Sequence, residues 1–452
     1  MRRRQTPQQI TEGVIWKQLL IFFFPILLGS FFQQMYNTVD TIVVGRFVGT
    51  TALAAVGSTT SFINLVNGFF IGLSTGATVI ISQYFGAHDE DSVDKALHTG
   101  MALSLVLGAI IMVVGFLSGP WILEKIQTPA ESMEDAVRYA QVYFLGAIAS
   151  MVYNMGAGIL RAMGDSRRPM IFLIVACVVN IFMDVLCVVV LKMGVVGAAI
   201  ATVFSQFVSA ILVVAALMRL PETYRLSFGK LRMHGNVLKR FLQVGIPAGL
   251  QFTTFDLSNM LIQSGINSFG AVTTAAWTAI SKTDAIIWMI NSAFGVAITT
   301  FVGQNFGARK FDRVRRSVWV CLGMSVCSVA VLSVLVMIFR EFILGIYVVD
   351  TEVIKAGAYI MMWISPFYVL FMPVEVFAGA MRGTGYSVVP TVISCVCVCV
   401  MRVLWVAIMV SRFHTVEMLA LAYPVTWAIA AIAFFVEYLR GKWLKKPAAA
   451  LQ

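Results

Sequence analysis

Long apolar runs alternate with short polar segments along almost the whole chain. Their lengths predict twelve helices, at about 15–42, 53–82, 95–118, 135–158, 169–191, 195–218, 241–267, 274–303, 316–339, 354–380, 388–411 and 417–438. About 20 mostly apolar residues suffice for a helix to cross the hydrocarbon core of a bilayer, so each run is expected to span a membrane. Pro25, Pro247, Pro366 and Pro373 fall inside these runs. Proline is tolerated in a membrane helix where neighbours or water satisfy the freed carbonyl, so each marks either a hinge or a fixed bend.

The polar punctuation between the runs repeats. Gln83-Tyr84-Phe85-Gly86-Ala87 recurs 221 residues later as Gln304-Asn305-Phe306-Gly307-Ala308. At the same offset Gly49 meets Gly270, Ala54-Ala55 meet Ala275-Ala276, and Arg161, Gly164, Ser166 and Pro169 meet Arg382, Gly385, Ser387 and Pro390. One residue of slip aligns Pro25 with Pro247 and Gly13 with Gly235. The chain therefore reads as two halves, residues 1–225 and 226–452, of six helices each, joined through a polar stretch at about 219–240. An even number of helices per half makes the repeat a parallel one, as in transporters that move one half against the other.

Composition supports this reading. The chain is 59% hydrophobic and 12% charged, with a mean hydropathy of +0.86; soluble domains hold about 25% charged residues. The net charge of +11 is concentrated in the short gaps. Arg2, Arg3 and Arg4, Arg161 to Arg168, Arg225 to Arg240, Arg309 to Arg316 and Lys442 to Lys446 alternate with gaps holding Glu124, Glu131, Glu134, Asp350 and Glu352. The positive-inside rule then predicts both termini in the cytoplasm. No basic stretch carries the interleaved stacking aromatics of a nucleic-acid binder. The first run follows Met1-Arg2-Arg3-Arg4 without a small-residue cleavage site and is read as a span. The seven cysteines lie in apolar runs and read as small packing residues.

Ionisable residues at membrane depth are costly and mark function or pairing. In the first half these are Asp40 and Asp184; in the second, Asp256, Lys282, Asp284, Glu375 and Arg402. Asn180 and Asp184 share a helix face, one turn apart. Asp40 ends a polar stripe with Gln33, Tyr36 and Asn37, beside Gln34. Thr202 and Asn154 are candidates to join them. Two carboxylates with an amide and a hydroxyl form a hard-oxygen set that suits Na⁺ or a shared proton, and sequence does not separate the two; a purely structural hydrogen-bonded role is the alternative. The repeat does not demand these acids, because Asp184 aligns with Trp405 and Asp40 with Leu261. In the second half Lys282 is a candidate partner for Asp256, and Asp256 and Glu375 are candidate substrate or ion contacts.

Asp40-Thr41-Ile42-Val43-Val44-Gly45-Arg46, Phe301-Val302-Gly303-Gln304-Asn305-Phe306-Gly307-Ala308, and Arg161-Ala162-Met163-Gly164-Asp165 with Met381-Arg382-Gly383-Thr384-Gly385 resemble the multidrug and toxic compound extrusion (MATE) family, over about residues 13–440. The resemblance implies an all-α membrane protein, twelve transmembrane helices in two parallel six-helix lobes forming a V. It implies export of organic, often cationic, compounds in exchange for Na⁺ or H⁺ by alternating access, from a prokaryotic cytoplasmic (inner) membrane. By the same likeness Asp40, Asn180, Asp184 and Thr202 match the first-lobe cation site, with Na⁺ held by Asp40, Asn180 and Asp184. A second branch of the family uses an acid near Asp256, whereas Glu375 does not fall at that branch's position. The partners expected are small organic molecules and lipid, with the chain acting as a monomer and no further cofactor. A flippase for lipid-linked sugars shares the twelve-helix plan but calls for a basic cavity, and here most Arg and Lys lie at the rim. No histidine cluster, serine elbow or phosphate loop points to an enzyme.

Overall fold

The computed structural model describes residues 10–125 and 128–449; Arg2, Arg3 and Arg4 lie outside them. Among the described residues every element is helical. Twelve rods follow one another: α1 Ile15–Phe47, α2 Thr50–Gly86, α3 Glu90–Lys125, α4 formed by Ala130–Leu145 and Ala147–Ala162, α5 Arg167–Val190, α6 Gly194–Met218, α7 Gly235–Asn267, α8 Ala271–Gly307, α9 Phe311–Ile338, α10 Thr351–Gly383, α11 Val388–Phe413 and α12 Val416–Arg440. Each of the twelve expected spans falls on one rod. Ten are long and apolar enough to cross a membrane, and the two pieces of α4, bent by 48°, make an eleventh. The remaining rod, α7, is 33 residues long but more polar, carrying Lys239 and Arg240 in its first turns.

The rods face outward with side chains no water-soluble protein displays in such number: Leu117, Phe182, Val178, Ile211 and Ile338 are each more than 60% exposed. Contiguous apolar surface on this scale belongs against lipid.

The repeat seen in sequence extends to backbone geometry. The tight turns before α2 and α8 hold Gly49 (φ 128°) and Gly270 (φ 88°), and those after α4 and α10 hold Gly164 (φ 90°) and Gly385 (φ 86°). His88 (φ 59°) and Arg309 (φ 56°), uncommon left-handed non-glycine residues, also stand 221 apart. Both α5 and α11 widen into π-type turns near their ends, at Val185–Val190 and Val406–Val410. Conserving such local departures from regular helix in both halves indicates one ancestral unit used twice.

Prolines account for breaks in regularity. Pro25 lies within α1 and Pro247 within α7; each removes a backbone donor from its helix. In α10 the helix tightens into a 3₁₀ stretch at Ser365–Leu370, where Pro366 lies.

The rods gather into two compact units that divide inside helices. The first holds Phe24–Gly249, and the second Thr11–Phe23 with Leu250–Gln452. Both divisions fall next to the helix prolines, after Phe23 in α1 and after Gly249 in α7. Among the described residues the core of the first unit includes two clusters. One contains Ile81, Phe85, Leu97, Met155, Leu160 and Phe241, the other Val44, Ala55, Phe62, Phe144 and Ala198. The second unit is built around Trp427, which packs against Trp288, Tyr368, Phe371 and Tyr423.

In the first unit α2 and the start of α7 meet backbone to backbone. A Cβ on Gly72 would lie 2.2 Å from the Gly249 nitrogen, and one on Gly76 2.4 Å from the Phe241 carbonyl oxygen. Backbone atoms have no rotamer by which to withdraw. Gly72→Ala is therefore expected to destabilise by about 1–3 kcal/mol through overpacking, despite alanine's better helix propensity. The control is Gly57→Ala in the same helix, where nothing lies within 4 Å of the added atom. Thermal unfolding of the purified variants should separate the two, and equal melting temperatures would refute this close packing.

Candidate functional site

Asp40 occupies the last third of α1 and is 6% exposed; Asn180 and Asp184, one turn apart on α5, are fully buried. The Asp40 and Asp184 carboxyls are electrostatic neighbours, with no hydrogen bond directly between them. The Tyr139 hydroxyl on α4 donates to Asp40 Oδ2 at 3.4 Å. Tyr143, one turn along, stacks on Tyr139 with ring centroids 6.4 Å apart, and its hydroxyl accepts from Asn67 Nδ2 of α2 at 3.1 Å. Tyr36 stands close to Asp40, Asp184 and Tyr143. Three helices of the first unit, α1, α4 and α5, thus meet at this pair of carboxyl groups, and α2 braces Tyr143 beside them.

The polar atoms left over are the notable feature. Asp40 Oδ1, Asp184 Oδ1 and Oδ2, and both side-chain polar atoms of Asn180 have no donor or acceptor from the rest of the protein. Thr202, buried in the α6 rod that packs along α5, has an unpartnered Oγ1 as well. A buried polar group without a partner costs about 1–3 kcal/mol, and native interiors hold few of them. Most of these atoms accept and none is a cation. Two carboxylates, an amide oxygen and a hydroxyl oxygen are the donor set of a hard monovalent cation, and the carboxyl pair is equally a place to hold a proton. The residues present therefore fit the Na⁺ or H⁺ expected from sequence.

The other candidates are placed differently. Gln33, Gln34 and Asn37 are exposed on α1, while Tyr36 is half-buried and turned toward the carboxyl pair. Asn154 spends its amide on the Ser150 carbonyl one turn back, at 3.0 Å. In the second unit Glu375 is held by Arg382 at 2.8 Å, and Arg382 also donates to Gln251 Oε1 at 3.3 Å. The arginine side chain is long enough to bridge the two turns between positions 375 and 382. Asp256 on α7 is half-buried. The expected pairing of Lys282 with Asp256 does not occur among the described residues: Lys282 is exposed, and no ion pair joins the two. The neighbouring Asp284 instead accepts a hydrogen bond from Tyr368 of α10. Arg402 is buried with its guanidinium 4.2 Å from the Tyr423 ring centroid and donates to Thr426 Oγ1 at 3.3 Å. These two ionisable groups are thereby tied to the aromatic core around Trp427.

Sequence reasoning did not pick out Tyr139, Tyr143, Asn67 or Gln206, the last beside Tyr143. The available signal was spacing: Tyr139 and Tyr143, and Thr202 and Gln206, are pairs four apart on single helices.

The family model described as MatE matches residues 25–186 and again 247–408. Its two matches start 222 residues apart, the spacing of Pro25 and Pro247 and within one residue of the 221-residue offset of the internal repeat. Among curated proteins, the chain is 28% identical to the probable multidrug resistance protein YoeA of Bacillus subtilis (strain 168), covering 97% of this chain and 96% of that protein. It is 26% identical to the probable multidrug resistance protein YpnP of the same organism, over 96% and 97% of the two chains. Among solved structures, an outward-facing multidrug resistance MATE family transporter of the MOP superfamily superposes with a TM-score of 0.91 at 22% identity, covering 99% of this chain and all of that one. The last likeness establishes the shared fold.

Proposed function

The chain belongs to the MatE family of membrane transporters, and from that premise we propose that it is a multidrug efflux antiporter exporting organic, often cationic, compounds in exchange for Na⁺ or H⁺. The relatives named as multidrug resistance proteins support the substrate class. The observation that carries the coupling site is the collection of buried, unpartnered oxygens around Asp40 and Asp184.

In this reading the shared proton between Asp40 and Asp184 is one state of the site and a bound cation, or the proton's loss, is another. Asn180 and Thr202 supply neutral oxygens to the cation; Tyr139 holds Asp40 in place through its hydroxyl. The two occupancies act on α1, because Asp40 is fixed to it and Pro25 leaves the helix one backbone bond short fifteen residues earlier. A ligand shifts a conformational equilibrium only by its difference in affinity for the two states. The site must therefore bind its ion more tightly in one conformation of α1 than in the other. Transport then follows from alternating access, with the chain working as a monomer in a prokaryotic cytoplasmic membrane and both termini in the cytoplasm.

The test is efflux of a fluorescent organic cation from proteoliposomes, with Na⁺ and pH gradients imposed separately. One gradient should drive wild-type efflux, and Asp40→Asn should remove that response while leaving equilibrium binding of the fluorophore within about twofold. Full gradient-driven efflux by Asp40→Asn would remove Asp40 from the coupling site.

A further inference from the structure

The turns joining α2 to α3 and α8 to α9 are the same piece of backbone twice. In the first, Ala87 N donates to Gln83 O, His88 N to Phe85 O and Asp89 N to Tyr84 O; in the second, Ala308 N donates to Gln304 O, Arg309 N to Phe306 O and Lys310 N to Asn305 O. Their charges are opposite. The first reads His88-Asp89-Glu90-Asp91-Ser92-Val93-Asp94-Lys95, the second Arg309-Lys310-Phe311-Asp312-Arg313-Val314-Arg315-Arg316. Since the backbone is shared, the fold demands neither charge set.

Each turn clasps the segment that leads into the first helix of the other half of the sequence. In the first unit, Tyr224 bonds to Glu90, Lys230 pairs with Asp94 at 3.3 Å, and Ser227 N donates to His98 Nε2 at 3.1 Å. In the second, Lys310 donates to the Thr11 carbonyl at 3.0 Å, and Arg313 donates to the Gly13 and Glu12 carbonyls at 2.8 and 2.9 Å. The clasp uses Lys310 and Arg313. It does not use the side chains of Arg309 and Arg316, which are exposed and have no partner among the described residues.

These two arginines border a cavity of about 610 Å³, lined also by Ile15, Lys310, Phe311, Asp312 and Arg313. Four basic side chains thus line the cavity beside the Asp312 carboxylate, while the Glu12 carboxylate stands 3.9 Å from Lys310 and leaves Arg309 and Arg316 unengaged. Arg316 continues along α9 into a stripe at helical spacing: Trp319, 49% exposed, and then Gly323, beside which nothing lies within 4 Å. The stripe enters a helix long and apolar enough to span a membrane, and a half-exposed tryptophan one turn beyond a charge is typical of the membrane–water interface.

We propose that the α8–α9 turn is a binding site for the phosphate headgroup of an anionic phospholipid. Arg309 and Arg316 hold the phosphate by charge-assisted hydrogen bonds, Trp319 packs at the glycerol level, and an acyl chain lies along the open surface at Gly323. Basic pockets beside membrane helices recognise anionic headgroups in this way. The stripe on α9 distinguishes a lipid from a soluble phosphate, which has no use for Trp319 or Gly323. The assignment is independent of the transport reading, because it concerns the end of two spanning helices and not the carboxyl cluster.

The experiment titrates the purified full chain with dioleoyl phosphatidylglycerol, dioleoyl phosphatidylcholine or inorganic phosphate and counts bound molecules by native mass spectrometry. Wild type should retain phosphatidylglycerol over phosphatidylcholine. One basic residue near a membrane surface is worth about fivefold in affinity for an anionic lipid, so Arg309→Gln with Arg316→Gln should weaken phosphatidylglycerol by roughly 25-fold, and Trp319→Ala should weaken it without the loss of a charge. Arg219→Gln, an exposed arginine at the end of α6, should change nothing. Both arginines are exposed, so the double variant should keep the wild-type melting temperature. Three results would overturn the site: unchanged phosphatidylglycerol binding in the double variant, an equal loss in Arg219→Gln, or displacement of the lipid by millimolar inorganic phosphate.

Discussion

Asp184→Asn is expected to uncouple the transporter. The substitution keeps the shape of the side chain and removes the carboxyl group that stands beside Asp40. Coupling between two binding events is typically 1–3 kcal/mol, about 5–150-fold in affinity. The ratio of efflux with an imposed gradient to efflux without one should therefore fall from that range toward one. Because Asp184 is fully buried on α5, an altered fold is the competing explanation, and an unchanged melting temperature with retained fluorophore binding excludes it. Asn180 and Thr202 remain in the variant, so a trace of cation binding, far weaker than in wild type, is compatible with the account. Gradient-driven efflux at the wild-type ratio is not.

The second large effect is on stability. Arg382→Ala should cost about 3–5 kcal/mol, the usual penalty for stranding the partner of a buried ion pair. Arg382 is only 7% exposed and binds both Glu375 and Gln251. The Glu375 carboxylate is pressed against α8 so closely that a Cβ on Gly295 would lie 2.2 Å from Oε1. With the arginine gone, that carboxylate, 19% exposed, loses its counter-charge. Glu375→Leu combined with Arg382→Met should recover most of the loss, because replacing both partners by apolar groups of similar volume is often neutral. Thermal unfolding of the two variants in detergent measures this directly. A double variant as unstable as Arg382→Ala would show that the arginine acts through Gln251 or packing and not through Glu375.

The helical rods and their repeat were legible because membranes enforce a simple code: twenty apolar residues, then a polar break. The match of Gln83-Tyr84-Phe85-Gly86-Ala87 to its copy did not by itself reveal that the next residues, His88 and Arg309, are both left-handed. The neighbourhood of Asn180 and Asp184 was legible from helical spacing, and the closeness of Asp40 to Asp184 from the scarcity of other buried acids in the first half. Tyr139 and Tyr143 were not legible, because aromatic residues in an apolar helix usually pack against lipid or core. Only the approach of α4 to α1 gives the Tyr139 hydroxyl its carboxylate. The fate of the second-half charges was hidden for the same reason. Spacing alone did not show that the arginine at 382 reaches back across two turns to Glu375, or that Asp284 turns to Tyr368 while Lys282 is exposed.

Position 154 shows how the two halves diverge on one scaffold. Asn154 and Arg161 align with Glu375 and Arg382, yet the first half has an amide where the second has the carboxylate of an ion pair. Conversely, the carboxyl pair of the first half has Leu261 and Trp405 opposite it. Buried charge in the second half is thereby neutralised within the protein at Glu375 and Arg382, while in the first half it is left open at Asp40 and Asp184.

The central claim is that the first half binds the coupling ion at this open site. It is tested most directly by measuring cation and proton binding to the purified protein, with radioactive Na⁺ at equilibrium and with a pH indicator in weakly buffered solution. The account predicts that wild type binds Na⁺ with release of a proton, or takes up a proton alone, and that Asp40→Asn and Asp184→Asn each lose this binding while Asp256→Asn keeps it. Loss of binding in Asp256→Asn with full binding in Asp40→Asn and Asp184→Asn would contradict the account and move the site to the second half.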